Sequence, residues 1–147
     1  MGLDMHLTGS FYLSTSRKKE DKLIGEINKI FGFPVVLSAS VISFKLGYWR
    51  KANHIHQWFV DNVQNGVDEC QEAYVSQEDL EALKCVCQQA LTNPEQAAKL
   101  LPTQGGFFFG STDYGEYYFQ NIKDTIKIID EALKHTATME FYYRSSW

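Results

Sequence analysis

Cysteine is scarce and unpatterned in this chain. Cys70, Cys85 and Cys87 make an odd count with no framework spacing, which argues against a disulfide-stapled secreted scaffold. Cys85 and Cys87 fall in an expected helix, where a spacing of two turns their side chains to roughly opposite sides. They are poor partners for one metal or for each other, and reduced, partly buried thiols are expected. No apolar run approaches the ~20 residues of a membrane-spanning helix. The N-terminus lacks an apolar signal core, and Met1-Gly2 is followed by His6 where an acylation site wants Ser or Thr. A cytoplasmic protein with no membrane partner is the expectation.

Positive charge is missing from the middle of the chain. Residues 52–83 contain no Lys or Arg but seven acids, Asp61, Asp68, Glu69, Glu72, Glu78, Asp79 and Glu81, whereas residues 1–51 hold eight basic and four acidic side chains. The net charge of −4 and the lack of a sustained basic stripe disfavour duplex nucleic acid as a partner. The acidic stretch reads first as a solvated helix face and second as a surface for a charged partner.

Catalytic signatures are also missing. Ser111 lies in Gly110-Ser111-Thr112 rather than in a Gly-x-Ser-x-Gly elbow. His54 and His56 point to different helix faces, and no His-x-x-x-His or Cys/His cluster exists, so no metal is expected. Gly105-Gly106 and Gly110 lack the spacing of a phosphate loop or a dinucleotide fingerprint. Cys70 with His56 is a conceivable nucleophile and base, with nothing to support it. Asp113 and Glu116 form a carboxylate pair, but capping of the last long helix explains both. No cofactor is implied.

What the chain does have is the bulk of one domain and an excess of aromatics. Its 147 residues, 44% of them hydrophobic, can bury a core without staples as a single domain spanning 1–147. Eight Tyr, ten Phe and three Trp supply apolar rings, the Tyr with polar tips suited to cores, interfaces or pockets alike. Leu3, Met5 and Leu7 alternate with polar residues as in a half-buried strand. A helix opens in Arg17–Lys22 and carries Leu23, Ile24, Ile27, Ile30 and Phe31 on its apolar face, stopped by Gly32 and Pro34. Residues 34–46 read as a strand or hairpin and residues 48–64 as a helix. Ser76-Gln-Glu-Asp79 reads as a capping box for a helix to about Leu91, and Asn93-Pro94 starts a short helix. Phe107–Phe109 reads as an inner strand, Asp113 as the cap of a helix bearing Phe119, Ile122, Ile126, Ile129 and Leu133, and Met139, Phe141 and Tyr143 as a last strand. The order predicts an α+β fold, a mainly antiparallel sheet of about four or five strands packed against about four or five helices.

Two stretches stand out as candidate ligand contacts. In Tyr48–Phe59, helical spacing puts Trp49, Asn53, His56 and Val60 on one stripe, with Arg50, His54, Gln57 and Asp61 on the next, and His54 is expected to be exposed. Asn and His offer both donors and acceptors, and Arg can grip phosphate or carboxylate as a fork. The second stretch is Leu101–Phe119, where glycines bound Phe107-Phe-Phe109 and a polar corner follows. Gln104, Ser111, Thr112, Asp113 and Tyr114 would face Trp49, Arg50, Asn53 and His56 across a pocket. Each also has a bland explanation, in packing or capping. An anion at the helix start after Gly110 would meet Asp113 and Glu116, so phosphate is better placed near Arg50, Lys51 or Arg144. A base could stack on Trp49, Tyr114, Tyr117 or Trp147. Trp147, at the very end of the chain, is expected to dock on the body or on a second subunit.

Three blocks carry a resemblance: Met1-Gly-Leu-Asp-Met5; Tyr48-Trp-Arg-Lys-Ala-Asn53 with Ile55-His56 and Trp58-Phe-Val60; and Leu101-Pro-Thr-Gln104 with Gly106–Tyr114. Over most of its length the chain resembles a family of small uncharacterised proteins encoded by bacteriophages and prophages. Gly115 departs from the acidic residue expected there. The resemblance implies an accessory protein acting in the cytoplasm of an infected bacterial host, commonly against host defence, and brings no catalytic residues. Together with the residues, it points to a non-enzymatic binder that sequesters a small nucleotide-like ligand. Two alternatives stand beside it: an inhibitor that blocks a host defence protein through the acidic face, and a small nucleotide hydrolase in which Asp113 or His56 activates water. A homo-oligomer is left open.

Overall fold

The computed structural model describes residues 2–147. Four strands, β1 (Asp4–Tyr12), β2 (Val41–Arg50), β3 (Ala73–Val75) and β4 (Glu140–Ser146), form one antiparallel sheet in the order β2-β1-β4-β3. Five helices accompany it: α1 (Lys18–Phe31), α2 (Asn53–Asn62), α3 (Gln77–Thr92), the single-turn α4 (Ala97–Leu100) and α5 (Glu116–Leu133). The fold is α+β, as the order of elements predicts.

The sheet is two-faced because β1 alternates. Leu3, Met5 and Leu7 point inward, joined by Trp49, Phe141 and Tyr143 from the neighbouring strands, while Asp4, His6 and Thr8 remain half-buried on the other side. The inward residues meet Ile55 and Phe59 of α2, Leu80, Leu83 and Cys87 of α3, and Tyr118, Ile122 and Ile129 of α5 in one core. Phe59 stacks on Tyr143 at 3.9 Å, which seats α2 on β4. Cys85 is exposed and Cys87 buried, as their spacing requires. The capping box is present in full: the Ser76 hydroxyl accepts from the Asp79 amide at 3.0 Å, and the Asp79 carboxylate accepts from the Ser76 amide at 3.0 Å.

Four local expectations are corrected. Residues 48–50 belong to β2, not to a helix: Tyr48, Trp49 and Arg50 pair with His6, Met5 and Asp4. Lys51, at φ +56°, breaks the chain there, and α2 starts only at Asn53. Strand β2 also begins late, at Val41, leaving residues 33–40 as an irregular loop. Phe107–Phe109 forms a turn. Phe107 is 96% exposed, and the Phe109 amide bonds back to the Gly106 carbonyl, so the glycines permit a bend instead of bounding a strand. Finally, Asp113 does not cap α5. Its carboxylate accepts from the Ser111 hydroxyl at 2.8 Å, and the N-cap position falls on Gly115, which has no side chain to offer.

Candidate functional site

The loop over residues 101–115 has no regular structure, so side chains must hold it. Asn53, at the first position of α2, does most of this. Its Nδ2 donates to the carbonyls of Phe109 and Ser111, both at 2.9 Å, and its Oδ1 accepts from the Gln104 amide at 3.0 Å. Three of the amide's four hydrogen-bonding places are thus filled by backbone. Thr103 closes the loop on itself, its hydroxyl donating to the Thr112 carbonyl at 3.0 Å and its amide to the Tyr114 hydroxyl at 3.1 Å. The Leu3 amide donates to the Phe108 carbonyl and ties the loop to the start of β1. Gly110 adopts φ +87°, and a Cβ there would lie 2.9 Å from the Cβ of Lys51.

Where this loop meets α2 and α5 there is a cavity of about 190 Å³. Lys51 and His54 line it from the β2–α2 junction, Ser111 and Asp113 from the loop, and Gly115 to Tyr118 with Asn121 from α5. The amides of Glu116, Tyr117 and Tyr118 precede the first intrahelical bond, which runs from Phe119 to Gly115, and no capping side chain takes them. Tyr118 is fixed from below, its hydroxyl donating to the Leu101 carbonyl at 2.8 Å. Its ring lies 4.2 Å from the ring of His54.

His54 is 3% exposed, and burial lowers its pKa to about 3, so the ring is neutral at physiological pH. Its Nε2 has no hydrogen-bond partner. Asn121 Nδ2, also lining the cavity, has none either. A buried polar atom without a partner costs about 1–3 kcal/mol, and here two residues that line one cavity each hold one. With Lys51 as the sole cation against Asp113 and Glu116, the cavity carries acids that oppose a dianionic group. The donors and acceptors suit an uncharged polar edge that both gives and takes hydrogen bonds.

Of the nine residues singled out in sequence, Ser111 and Asp113 reach the cavity. Asn53 and Gln104 hold the loop beside it. Thr112 contributes its carbonyl, and Tyr114 its hydroxyl, to the Thr103 closure. Trp49 is buried in the core, its Nε1 donating to Thr125 Oγ1 at 2.8 Å. Arg50 is exposed at the end of β2, and its carbonyl accepts from Tyr117 at 2.6 Å.

His56 is wholly buried in a separate chain of contacts. Its Nε2 lies 3.0 Å from Asp68 Oδ2 and its Nδ1 2.7 Å from the Tyr143 hydroxyl. A carboxylate only accepts, so in the neutral ring Nε2 donates to Asp68 and Nδ1 accepts from Tyr143. Burial pushes the Tyr143 phenol well up and keeps it a donor. Trp147 closes the series, its Nε1 donating to Asp68 Oδ1 at 3.2 Å while its ring meets Phe109 edge-on. The chain end therefore docks on the body.

Sequence reasoning passed over Tyr118 and Asn121, and weighed Lys51 only as a place for phosphate. His54 was expected to be exposed because the helix was phased from Tyr48. Starting at Asn53, the first turn is plugged into the body on every side, and Asn53, His54, Ile55 and His56 are all buried. Asn121 did leave a signal, since it sits three residues after Tyr118 and four before Thr125, beside the inward stripe of α5. No protein family, curated protein or solved structure matches this chain.

Proposed function

We propose that the protein is a non-enzymatic binder of a small nucleotide-like ligand, and that the uncharged edge of that ligand, a nucleobase edge or a ribose diol, enters the cavity at the start of α5. The observation that carries this is that His54 and Asn121 both line one cavity and each holds a buried side-chain nitrogen without a partner, His54 Nε2 and Asn121 Nδ2. A ligand carbonyl, ring nitrogen or hydroxyl would satisfy them, and ligand N–H or O–H groups would meet Asp113 and Ser111. At about 190 Å³ the space holds part of a nucleotide, below the ~300–1,000 Å³ usual for whole drug-sized ligands. Phosphate stays outside, away from Asp113 and Glu116. Exposed Tyr117 and Tyr114 offer rings at the rim. The resemblance to small phage-encoded proteins supplies the setting: capture of a nucleotide signal of host defence.

Turnover is not part of this proposal. Both nitrogens of His56 are engaged, and the Asp113 carboxylate is held by Ser111. The test is thermal-shift titration with nucleosides, mononucleotides, and cyclic and ADP-ribose-type nucleotides, together with mass spectrometry of what denatured protein releases. An intact ligand and a saturable shift are expected. No release and no shift with any of these compounds would remove the proposal's support.

A second reading rests on the exposure of Asp61, Glu69, Glu72, Glu78 and Glu81, five of the seven acids of residues 52–83. These could face a basic host protein. Charge reversal at Glu69, Glu72 and Glu78 would then abolish capture of that protein without changing the fold, and unaffected capture would count against it.

A further inference from the structure

Between β1 and β2 the chain leaves the sheet, runs through α1 and an irregular loop, and returns. Helix α1 is anchored on its flanking loops: Glu20 accepts from the Ser14 amide at 2.6 Å, and Asn28 Nδ2 donates to the Leu37 carbonyl at 2.7 Å. Gly32, at φ +67°, ends the helix, its amide directed to the Asn28 and Lys29 carbonyls. The arm so built is apolar on its outside. Ile30, Phe31, Phe33 and Leu37 are exposed, and Val35 and Val36 are 96% and 86% open to solvent. Phe31 and Phe33 stack on each other at 5.6 Å.

We propose that this arm is the interface through which two copies of the chain form a two-fold dimer. The area favours it. Those six residues together leave on the order of 750 Å² uncovered, close to the about 800 Å² per partner of a standard interface and above the about 300–600 Å² of the largest patch on a typical monomer. Shape favours it as well. Beside the protruding valines lies a groove of about 560 Å³ whose apolar wall is Ile24, Phe33, Val35 and Leu37 and whose polar wall includes Asp21 and Lys29. One surface thus carries both knob and hole, which an isologous interface needs. The arm returns into β2, whose outer edge is unpaired because β2 is the first strand of the sheet. The bulge between Leu7 and Thr8 and the exposed Lys45 blunt that edge, so the contact is confined to the arm. Charge separates this occupant from an anionic bilayer. Glu20, Asp21 and Glu26 are interspersed with Lys18, Lys19, Lys22 and Lys29 on α1, whereas a lipid surface selects a uniformly basic flank.

Sedimentation velocity and light scattering over a range of micromolar concentrations test this directly. Wild-type protein is expected at about twice the chain mass of 16.9 kDa. The double variant Val35→Asp/Val36→Asp should fall to the single-chain mass with an unchanged circular dichroism spectrum. Tyr74→Asp, an exposed aromatic on the opposite edge strand, should stay dimeric. A wild-type protein that sediments as one chain throughout overturns the proposal, as does a dimer that survives the valine double variant. A monomer that binds anionic vesicles through the same valines overturns it in favour of a membrane surface. None of these outcomes bears on the cavity at α5.

Discussion

Asn53 and His54 are adjacent in sequence, equally buried, and opposite in their bonding. Asn53 is close to saturated by three backbone groups, and removing it leaves two carbonyls and an amide of the 101–115 loop without partners. Asn53→Ala should therefore cost about 2–3 kcal/mol in urea unfolding. Asn53→Asp should cost at least as much, because a carboxylate would face the Phe109 and Ser111 carbonyls. A change under about 0.5 kcal/mol in either would contradict the clamp. His54 titrates in the opposite sense from a paired histidine. Its folded pKa lies near 3 against 6.5 as the ordinary value, so its contribution is fully present above pH 6.5. It is lost as pH falls toward 3, with a slope of up to about 1.4 kcal/mol per pH unit. His54→Phe should flatten that acid limb in pH-dependent unfolding. An identical limb in the variant would mean that the ring is not buried neutral.

At the scale of elements, legibility followed the locality of the signal. The α3 capping box could be read directly because Ser76 and Asp79 satisfy each other within four residues, and Ser76→Ala should cost about 1 kcal/mol. The strand–helix break at Lys51 could not be read. Trp49, Asn53 and His56 fit a helical stripe as well as they fit a strand followed by a helix, and only the pairing of Tyr48–Arg50 with Asp4–His6, more than forty residues away, decides between them. The Phe107–Phe109 turn was missed for a similar reason. Three phenylalanines between glycines satisfy strand propensity, but no free sheet edge reaches them, and the Asn53 clamp draws the following carbonyls into a bend. Long-range packing also fixes Gly47, where a Cβ would strike the side chain of Ile128 on α5. Gly47→Ala should lower stability by about 1–3 kcal/mol through overpacking between β2 and α5, measurable as a shift in denaturation midpoint. A neutral effect would mean that α5 is free to shift on the sheet.

For the whole molecule, the α+β architecture was written in the alternation of strand and helix patterns, while the cavity was not. Of the residues proposed from sequence, those with the richest chemistry, Trp49 and His56, are spent on the core; among the described residues four buried side-chain polar atoms lack a partner, and those of His54 and Asn121 belong to residues lining the cavity while those of Gln64 and Ser145 do not. An unpartnered buried polar atom lowers stability. That gives the cavity a signature that simple packing lacks: Asn121→Leu, which removes an orphaned donor, should leave the ligand-free protein as stable as wild type or more so, yet abolish binding. The most direct measurement is the melting temperature of wild type and Asn121→Leu with and without each compound of the nucleotide series. The account predicts an equal or higher melting temperature for the free variant, and a ligand-dependent rise in wild type only. A rise of the same size in both proteins would contradict it.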